Sequence, residues 1–271
     1  MIAAQLSGDR LHLQHGPIDL VIGADGARAA GFAAAKQRFA TVLDELVAEL
    51  PLLRSPMPVV PVGAVAQRMV RAATGYSEFV TPMAAVAGAV ADTVLAAMLQ
   101  GADLTRAYVN NGGDIALHLA AGQQFDVGVA GLDASALGKI RLHAGQGIGG
   151  IATSGRGGRS LSRGIADSVT VLGECAASAD VAATLIANAV DLVGHPKITR
   201  IKANKLDPDS DLGERLVVTD CGKLSIIDRQ RALENGARRA QDLLALGRIK
   251  AAYLVLQGQS RVIGNRELAN A

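Results

Sequence analysis

Hydrophobic and polar positions alternate with two different periods along this chain, and the switches between them set out its elements. Residues 10–22 alternate with period two around Gly16-Pro17, which predicts two strands joined by a tight turn. Over residues 27–50 the apolar side chains Phe32, Phe39, Val42, Leu43, Leu46 and Leu50 recur at helical spacing. Lys36, Arg38 and Glu45 fall on the other side, so a long amphipathic helix ended by Pro51 is expected. Residues 55–61 form a proline-rich, extended link, and residues 63–74 read as a short helix carrying Arg68 and Arg71. Thr81-Pro82 then opens a helix that runs to Met98, with Thr81 as N-cap and Pro82 at the first helical position. Nearly every residue of that helix is small and apolar, which predicts a buried element that other backbone can approach closely.

The next segment organises the chain. Ala107 to Val109 lead into Asn110-Asn111-Gly112-Gly113, and residues 115–119 lead out with period-two alternation. Two strands joined by a tight corner follow, because Asn and Gly supply the left-handed backbone angles such a turn needs. Further strands are expected at residues 125–130 and 139–143, through Ala152, and at 168–172. A helix is expected at 178–190 with Ser178 as cap. Residues 198–205 are basic and strand-like. Residues 207–211 are acidic but lack the Gly and terminal Glu of a calcium loop, so they read as a solvated turn. Residues 228–246 form an amphipathic helix with Leu233, Ala237, Ala240, Leu243 and Leu244 inward. Residues 251–256 are read as the last strand, and the tail after Arg261 as loose.

Composition narrows the class. At 271 residues the chain can bury a large core as one domain or as two packed halves. Aromatic residues make up 3% and Trp is absent, so that core is aliphatic. The net charge of +2, with acids and bases interspersed, gives no nucleic-acid footprint. Cys175 and Cys221 share no metal-ligand spacing, which fits a reducing compartment. Charge appears too early in the first ten residues for a signal peptide, and no apolar run is expected to reach membrane length. A cytoplasmic protein with no membrane partner is the expectation.

Three segments carry candidate chemistry. At the hairpin corner, Asp114 starts the second strand beside Gly112 and Gly113, whose N–H groups would lie open to a bulky ligand. Taken alone, the same residues fit an ordinary turn capped by its own Asp. Residues 153–163 bring together Thr153, Ser154, Gly155, Arg156, Arg159 and Arg163, the hydroxyls, bare backbone and guanidiniums that a pyrophosphate requires. No Gly-Lys-Ser/Thr follows, so this is not a Walker loop, and a basic surface loop has the same composition. Asp180 and Thr184 stand four apart on one face of a helix and offer oxygen ligands to Mg²⁺. The structural alternative is an Asp favoured by the helix dipole beside a back-bonded Thr.

Asn111-Gly112-Gly113-Asp114, Ala152-Thr153-Ser154-Gly155, the strand at 168–171 and Ala179-Asp180-Val181-Ala182-Ala183-Thr184 occur in the order and approximate spacing of one family. The chain resembles the ApbE superfamily, the FAD:protein FMN transferases, from about Thr81 to Val190. Gly16-Pro17-Ile18-Asp19, Thr81-Pro82-Met83-Ala84-Ala85-Val86-Ala87-Gly88 and Pro208-Asp209-Ser210-Asp211-Leu212-Gly213 are similar to an ApbE-like branch without an assigned function. The resemblance implies an α+β, T-fold-related architecture of antiparallel sheets packed with helices, the whole chain forming one domain or two halves with a ligand cleft between them. It implies FAD as ligand or substrate, with Mg²⁺ bridging its pyrophosphate. The metal would be held by Asp180, Thr184 and the carbonyls of Ala84 and Ala183. Thr81, Asn111, Gly112, Gly113, Asp114, Thr153, Ser154, Gly155, Arg156 and Arg159 would line the flavin site, with Asp180 and Asp114 as the catalytic acids.

The departures from that pattern bear on activity. Transferases carry Asp-Leu-Gly-Ala-x-x-Lys-Gly where this chain has Thr81 for the Asp and Ala87 for the Lys. Their His-x-x-Asp-Pro segment is missing, and Arg159-Ser160-Leu161-Ser162 stands near its place. A polar site that loses such partners changes ligand rather than weakening uniformly. Three readings follow: an ApbE-like enzyme transferring or hydrolysing a flavin nucleotide, a T-fold enzyme for a pterin-like heterocycle, and a non-catalytic flavin or nucleotide carrier. An acceptor protein is implied only by the first, and a homo-oligomer is compatible with all three.

Overall fold

The computed structural model describes residues 1–56, 60–130, 136–158 and 160–264, with the side chains of 129–130 and 136–138 left aside. In chain order the elements are β1 (Ile2–Leu6), β2 (Arg10–His15), β3 (Ile18–Gly26), α1 (Arg28–Ala48), α2 (Leu50–Leu53) and α3 (Ala64–Ala73). A 3-10 turn (Pro82–Ala85), α4 (Val86–Gly101), β4 (Leu104–Asn111), β5 (Asp114–Leu119), β6 (Gln124–Ala130), β7 (Ala136–His143) and β8 (Gly150–Ser154) follow. The remainder is β9 (Ser168–Gly173), α5 (Ala176–Ala189), β10 (Ile198–Lys202), α6 (Ala203–Leu206), β11 (Leu216–Cys221), α7 (Ile226–Ala245), β12 (Ala251–Leu256) and β13 (Gln259–Gly264). The α+β class expected from the sequence is what the chain adopts, and it divides into two compact units.

The first unit comprises Met1–Phe125, Arg141–Ala152 and Gly173–Val181. Its strands pair antiparallel in the order β1-β2-β3-β4-β5-β8, with Leu13 opposite Leu20, Ile22 opposite Val109 and Ile115 opposite Ile151. Period-two alternation sends Leu11, Leu13, Leu20, Ile22, Ala107, Val109 and Ala116 to one buried face. On that side α1 packs against β2 and β3, and α4 against β4 and β5. From α1 come Phe32, Phe39, Val42 and Leu46, each a burial that stabilises by about 1.5–3 kcal/mol. The second unit comprises Asp126–Ile140, Thr153–Leu172 and the chain from Ala182 onward. There β12 pairs antiparallel with β9 and β13, α7 packs on β12 and β13, and β10 and β11 form a separate ribbon. Helix α5 begins in the first unit and ends in the second.

Several boundaries differ from the sequence expectation. Thr81 is buried in extended backbone without a side-chain cap bond, and the helix it was expected to open begins as the 3-10 turn. Ser178 lies inside the first turn of α5, its hydroxyl donating to the Cys175 carbonyl at 3.0 Å, so it is not the cap. Pro51 sits in the one-turn helix α2, immediately after α1 ends. Strands β1, β11 and β13 were not expected. Their side chains are largely exposed, so they lack the apolar alternation that marks a strand with one face in the core. Residues 262–264, expected to open a loose tail, belong to β13; the rest of that tail falls outside the described residues, as do residues 57–59 of the proline-rich link.

One expectation is overturned outright. Pro82–Gly101 is a 20-residue helical stretch of mean hydropathy 1.7, long and apolar enough to cross a membrane. Its apolar window is 61% buried inside the fold, because α4 is packed by α1, α3 and the β4–β5 hairpin and has few positions left for polar side chains.

Candidate functional site

The hairpin corner is built as its residues dictate. Asn111 pairs with Asp114 across a two-residue loop in which Gly112 and Gly113 take φ of 66° and 113°, the backbone of a type I′ turn. A side chain at either position would strain the turn, which accounts for both glycines before any ligand is invoked. The Gly113 N–H, expected to be open to a ligand, donates to Asn110 Oδ1 at 2.8 Å. Asn111 is buried, and its side-chain amide donates to the Ala87 carbonyl at 3.1 Å, tying the corner to the first turn of α4.

That first turn meets α5 in a reciprocal arrangement. Asp180 of α5 accepts from the Gly88 N–H of α4 at 3.1 Å, a donor that no residue of its own helix can satisfy. In return Asp92 of α4 accepts from the Ala176 and Ala177 N–H groups that open α5, at 3.0 and 2.9 Å. Each helix therefore supplies the N-terminal acceptor of the other. Close approach makes this possible: a Cβ on Gly88 would stand 2.4 Å from the Ala176 carbonyl group.

The electrostatics of the two acids diverge. Burial pushes the Asp92 carboxyl above the usual carboxylate range, opposed by its two backbone donors. The Asp180 carboxyl lies deep although the residue as a whole is half-buried, and its pKa is raised well above the ordinary value. Burial is the main cause and the neighbouring negative charge of Asp114 the second, with Asp92 adding to it. Where two carboxylates interact in this way, a proton or a cation near them lowers the cost. Their oxygens, with nearby backbone carbonyls, are the hard donors that Mg²⁺ or Ca²⁺ takes, so the residues present fit such an ion. Among the described residues no group of three or more His, Cys, Asp or Glu side chains converges on a metal position, so any site rests on this pair and on backbone or hydroxyl oxygens.

The remaining expected residues fall as follows. Ala84 is half-buried in the 3-10 turn that leads into α4. Ala183 is a poor ligand. It is fully buried in the interior of α5, where helix geometry commits its carbonyl to residue 187. Thr184 stands one helical turn beyond Asp180, half-buried, with its hydroxyl 3.5 Å from that of Ser154. Thr153 is the last but one residue of β8, with its hydroxyl 2.9 Å from that of Thr170. Gly155 is buried with φ of 143°, and a Cβ there would lie 2.7 Å from the Asp167 carbonyl oxygen, so packing alone requires it.

Arg156 corrects the picture of an anion clamp. Its Nε and Nη2 donate to Asp167 Oδ1 at 2.9 and 2.6 Å, and Asp167 also accepts from the Gln257 N–H. The guanidinium is thus held by an internal acid. Arg159 lies outside the described residues, and Arg163 is half-buried with its backbone N–H on Asn188 Oδ1. Sequence reasoning missed Asp92 and Asp167. The lone acid in the apolar run of α4 was the one available signal for the first.

A family model described as AbpE bacteria matches residues 3–262. A UPF0280 protein of Methanopyrus kandleri is 40% identical over 177 residues, 63% of this chain and 69% of that protein. One from Methanothrix thermoacetophila is 38% identical over 158 residues, 55% of this chain but 64% of the relative's own length, just under two thirds. Two solved structures align along almost the whole chain. They are the flavin transferase ApbE of Vibrio cholerae (14% identity, 99% of each chain, TM-score 0.44) and the ApbE protein of Thermotoga maritima (12%, 96% and 97%, TM-score 0.49).

Proposed function

This chain belongs to the AbpE bacteria family, and from that premise we propose that it binds a flavin nucleotide of the FAD type together with a divalent cation, Mg²⁺ by preference. The observation that carries the reading is the acidic pair Asp114 and Asp180 beside the first turn of α4. Asp180, with Asp114 and carbonyl oxygen of the Ala84 segment, would hold the ion. When bound, the cation supplies charge neutralisation and Lewis-acid polarisation to a diphosphate. This chain's own residues orient: Asp180 is fixed by the Gly88 N–H, and Asn111 fixes the corner that presents Asp114. In the second unit, Thr153 and Ser154 with Thr184 offer hydroxyls suited to phosphate oxygens.

One observation favours flavin binding without transfer as a second reading. Thr81, standing where transferases carry an acid, is uncharged and 1% exposed. The test is flavin fluorescence on titrating FAD into the full chain with and without Mg²⁺, alongside Asp180→Asn, with FMN and AMP release followed by chromatography. Mg²⁺-dependent quenching, weakened at least about tenfold in the variant, supports the reading. Binding indifferent to both the metal and the substitution would reject it. Release of AMP in the presence of an acceptor protein would mark a transferase, and its release without one a hydrolase.

A further inference from the structure

We propose that a hollow on the outward face of the β3–β4 pair is a second ligand site, for a small aromatic or heteroaromatic acid. Gly23 pairs with Tyr108 and Asp25 with Arg106, so these four residues share one face of the sheet. It is the face opposite buried Ile22, Ala107, Val109 and Asn111. Arg106 is five residues from Asn111 along β4, which places the hollow roughly 17 Å from the hairpin corner. Its occupancy is therefore independent of the acids there.

Shape and charge define the ligand. The cavity measures about 180 Å³, and one of about 150 Å³ takes up benzene. Its wall is aromatic. The Tyr108 ring covers Gly23, where a Cβ would stand 2.4 Å from the ring, and Phe125 meets Tyr108 edge-on at 6.1 Å. The Arg106 guanidinium lies 5.6 Å over the Phe125 ring and is held by Asp25. Around this wall three guanidiniums, of Arg10, Arg28 and Arg106, face two carboxylates, of Asp9 and Asp25. Asp25 is tied to Arg106 and Arg28, and the hydrogen bond from Arg106 first, then the two charges, keep its carboxyl below the usual range. Asp9 is the replaceable one. Its side chain is 74% exposed, and its 2.8 Å pair with Arg28 is of the weak, solvent-screened surface kind. A ligand carboxylate takes the place of Asp9 on Arg28 while its ring lies against Tyr108 and Phe125, where stacking and cation–π contact favour a π-system.

The test is saturation-transfer and amide-shift NMR on the full chain with 4-hydroxybenzoate as probe. Acetate and benzyl alcohol serve as charge-only and ring-only controls. Saturable binding of 4-hydroxybenzoate is expected, with shifts confined to the β1–β2 turn, β3, the start of α1, β4 and the start of β6. Arg28→Gln should weaken it about tenfold, whereas Asp9→Asn, which removes the competing carboxylate from a position Asn tolerates, should tighten it about threefold. The opposite signs separate a site from a loss of fold, and neither variant should alter FAD titration. Absence of saturable binding up to about 10 mM overturns the proposal, as do equal binding of either control and indifference to both substitutions.

Discussion

The two ends of the α4–α5 crossing are made with the same bond and do different work. At one end Asp92 closes α5: each of its oxygens takes one N–H, and the residue is 8% exposed. At the other end Asp180 meets the first turn of α4 while sharing its surroundings with Asp114, and remains half-buried. A carboxylate whose acceptors are filled by backbone and which solvent cannot reach is a fastener. One that lies deep beside a second acid carries a raised pKa, a cost that a proton or a bound cation would relieve. The cap bond thus says little about role, and the neighbouring charge says more.

Removing each acid in turn tells the two roles apart. Asp92→Ala strands two buried N–H groups, each costing about 1–3 kcal/mol, so a loss of about 3 kcal/mol, or roughly 6–12 °C in Tm, is expected. Asp180→Asn keeps an acceptor for Gly88 and relieves repulsion from Asp114, so its stability should change by less than about 1 kcal/mol. Thermal melts of the two variants side by side measure both. Comparable losses would make Asp180 a fastener as well.

A smaller effect is the pH dependence. Because the folded pKa of Asp92 is raised, its contribution to stability is fully present below the unfolded value near 3.8 and is lost as pH rises through the folded pKa. Stability of wild type relative to Asp92→Asn should therefore fall with rising pH from about 3.5 upward. Glu45 gives the opposite sign. Hydrogen bonds from Arg38 lower its pKa, so its contribution is present above the unfolded value and lost as pH falls through the folded one. Urea unfolding across pH for wild type, Asp92→Asn and Glu45→Gln reads both slopes. A flat difference for Asp92 would contradict its burial as a charged group.

Much of this arrangement was legible in the residues. Asn-Asn-Gly-Gly announced the corner because few residues adopt its angles, and α1 and α7 showed their apolar faces at helical period. Asp180 stood out by type and spacing, but its bond to Gly88 spans 92 positions and has no local signature. The same holds for Asp92, whose donors lie 84 and 85 residues away. Arg156 was read as a free cation because composition alone cannot show that Asp167, eleven residues on, folds back to hold it. Helix α4 hid its nature in the other direction. Apolar residues on all its sides serve a packed core and a membrane span equally well.

The most direct test of the cation assignment is an electron paramagnetic resonance titration of the full chain with Mn²⁺, in the presence of FAD, on wild type, Asp114→Asn, Asp180→Asn and Asp92→Asn. The account predicts about one bound ion in the wild type, retained by whatever fraction of Asp92→Asn remains folded and lost in the Asp114 and Asp180 variants. Equal Mn²⁺ binding in all four, or none in the wild type, would contradict it.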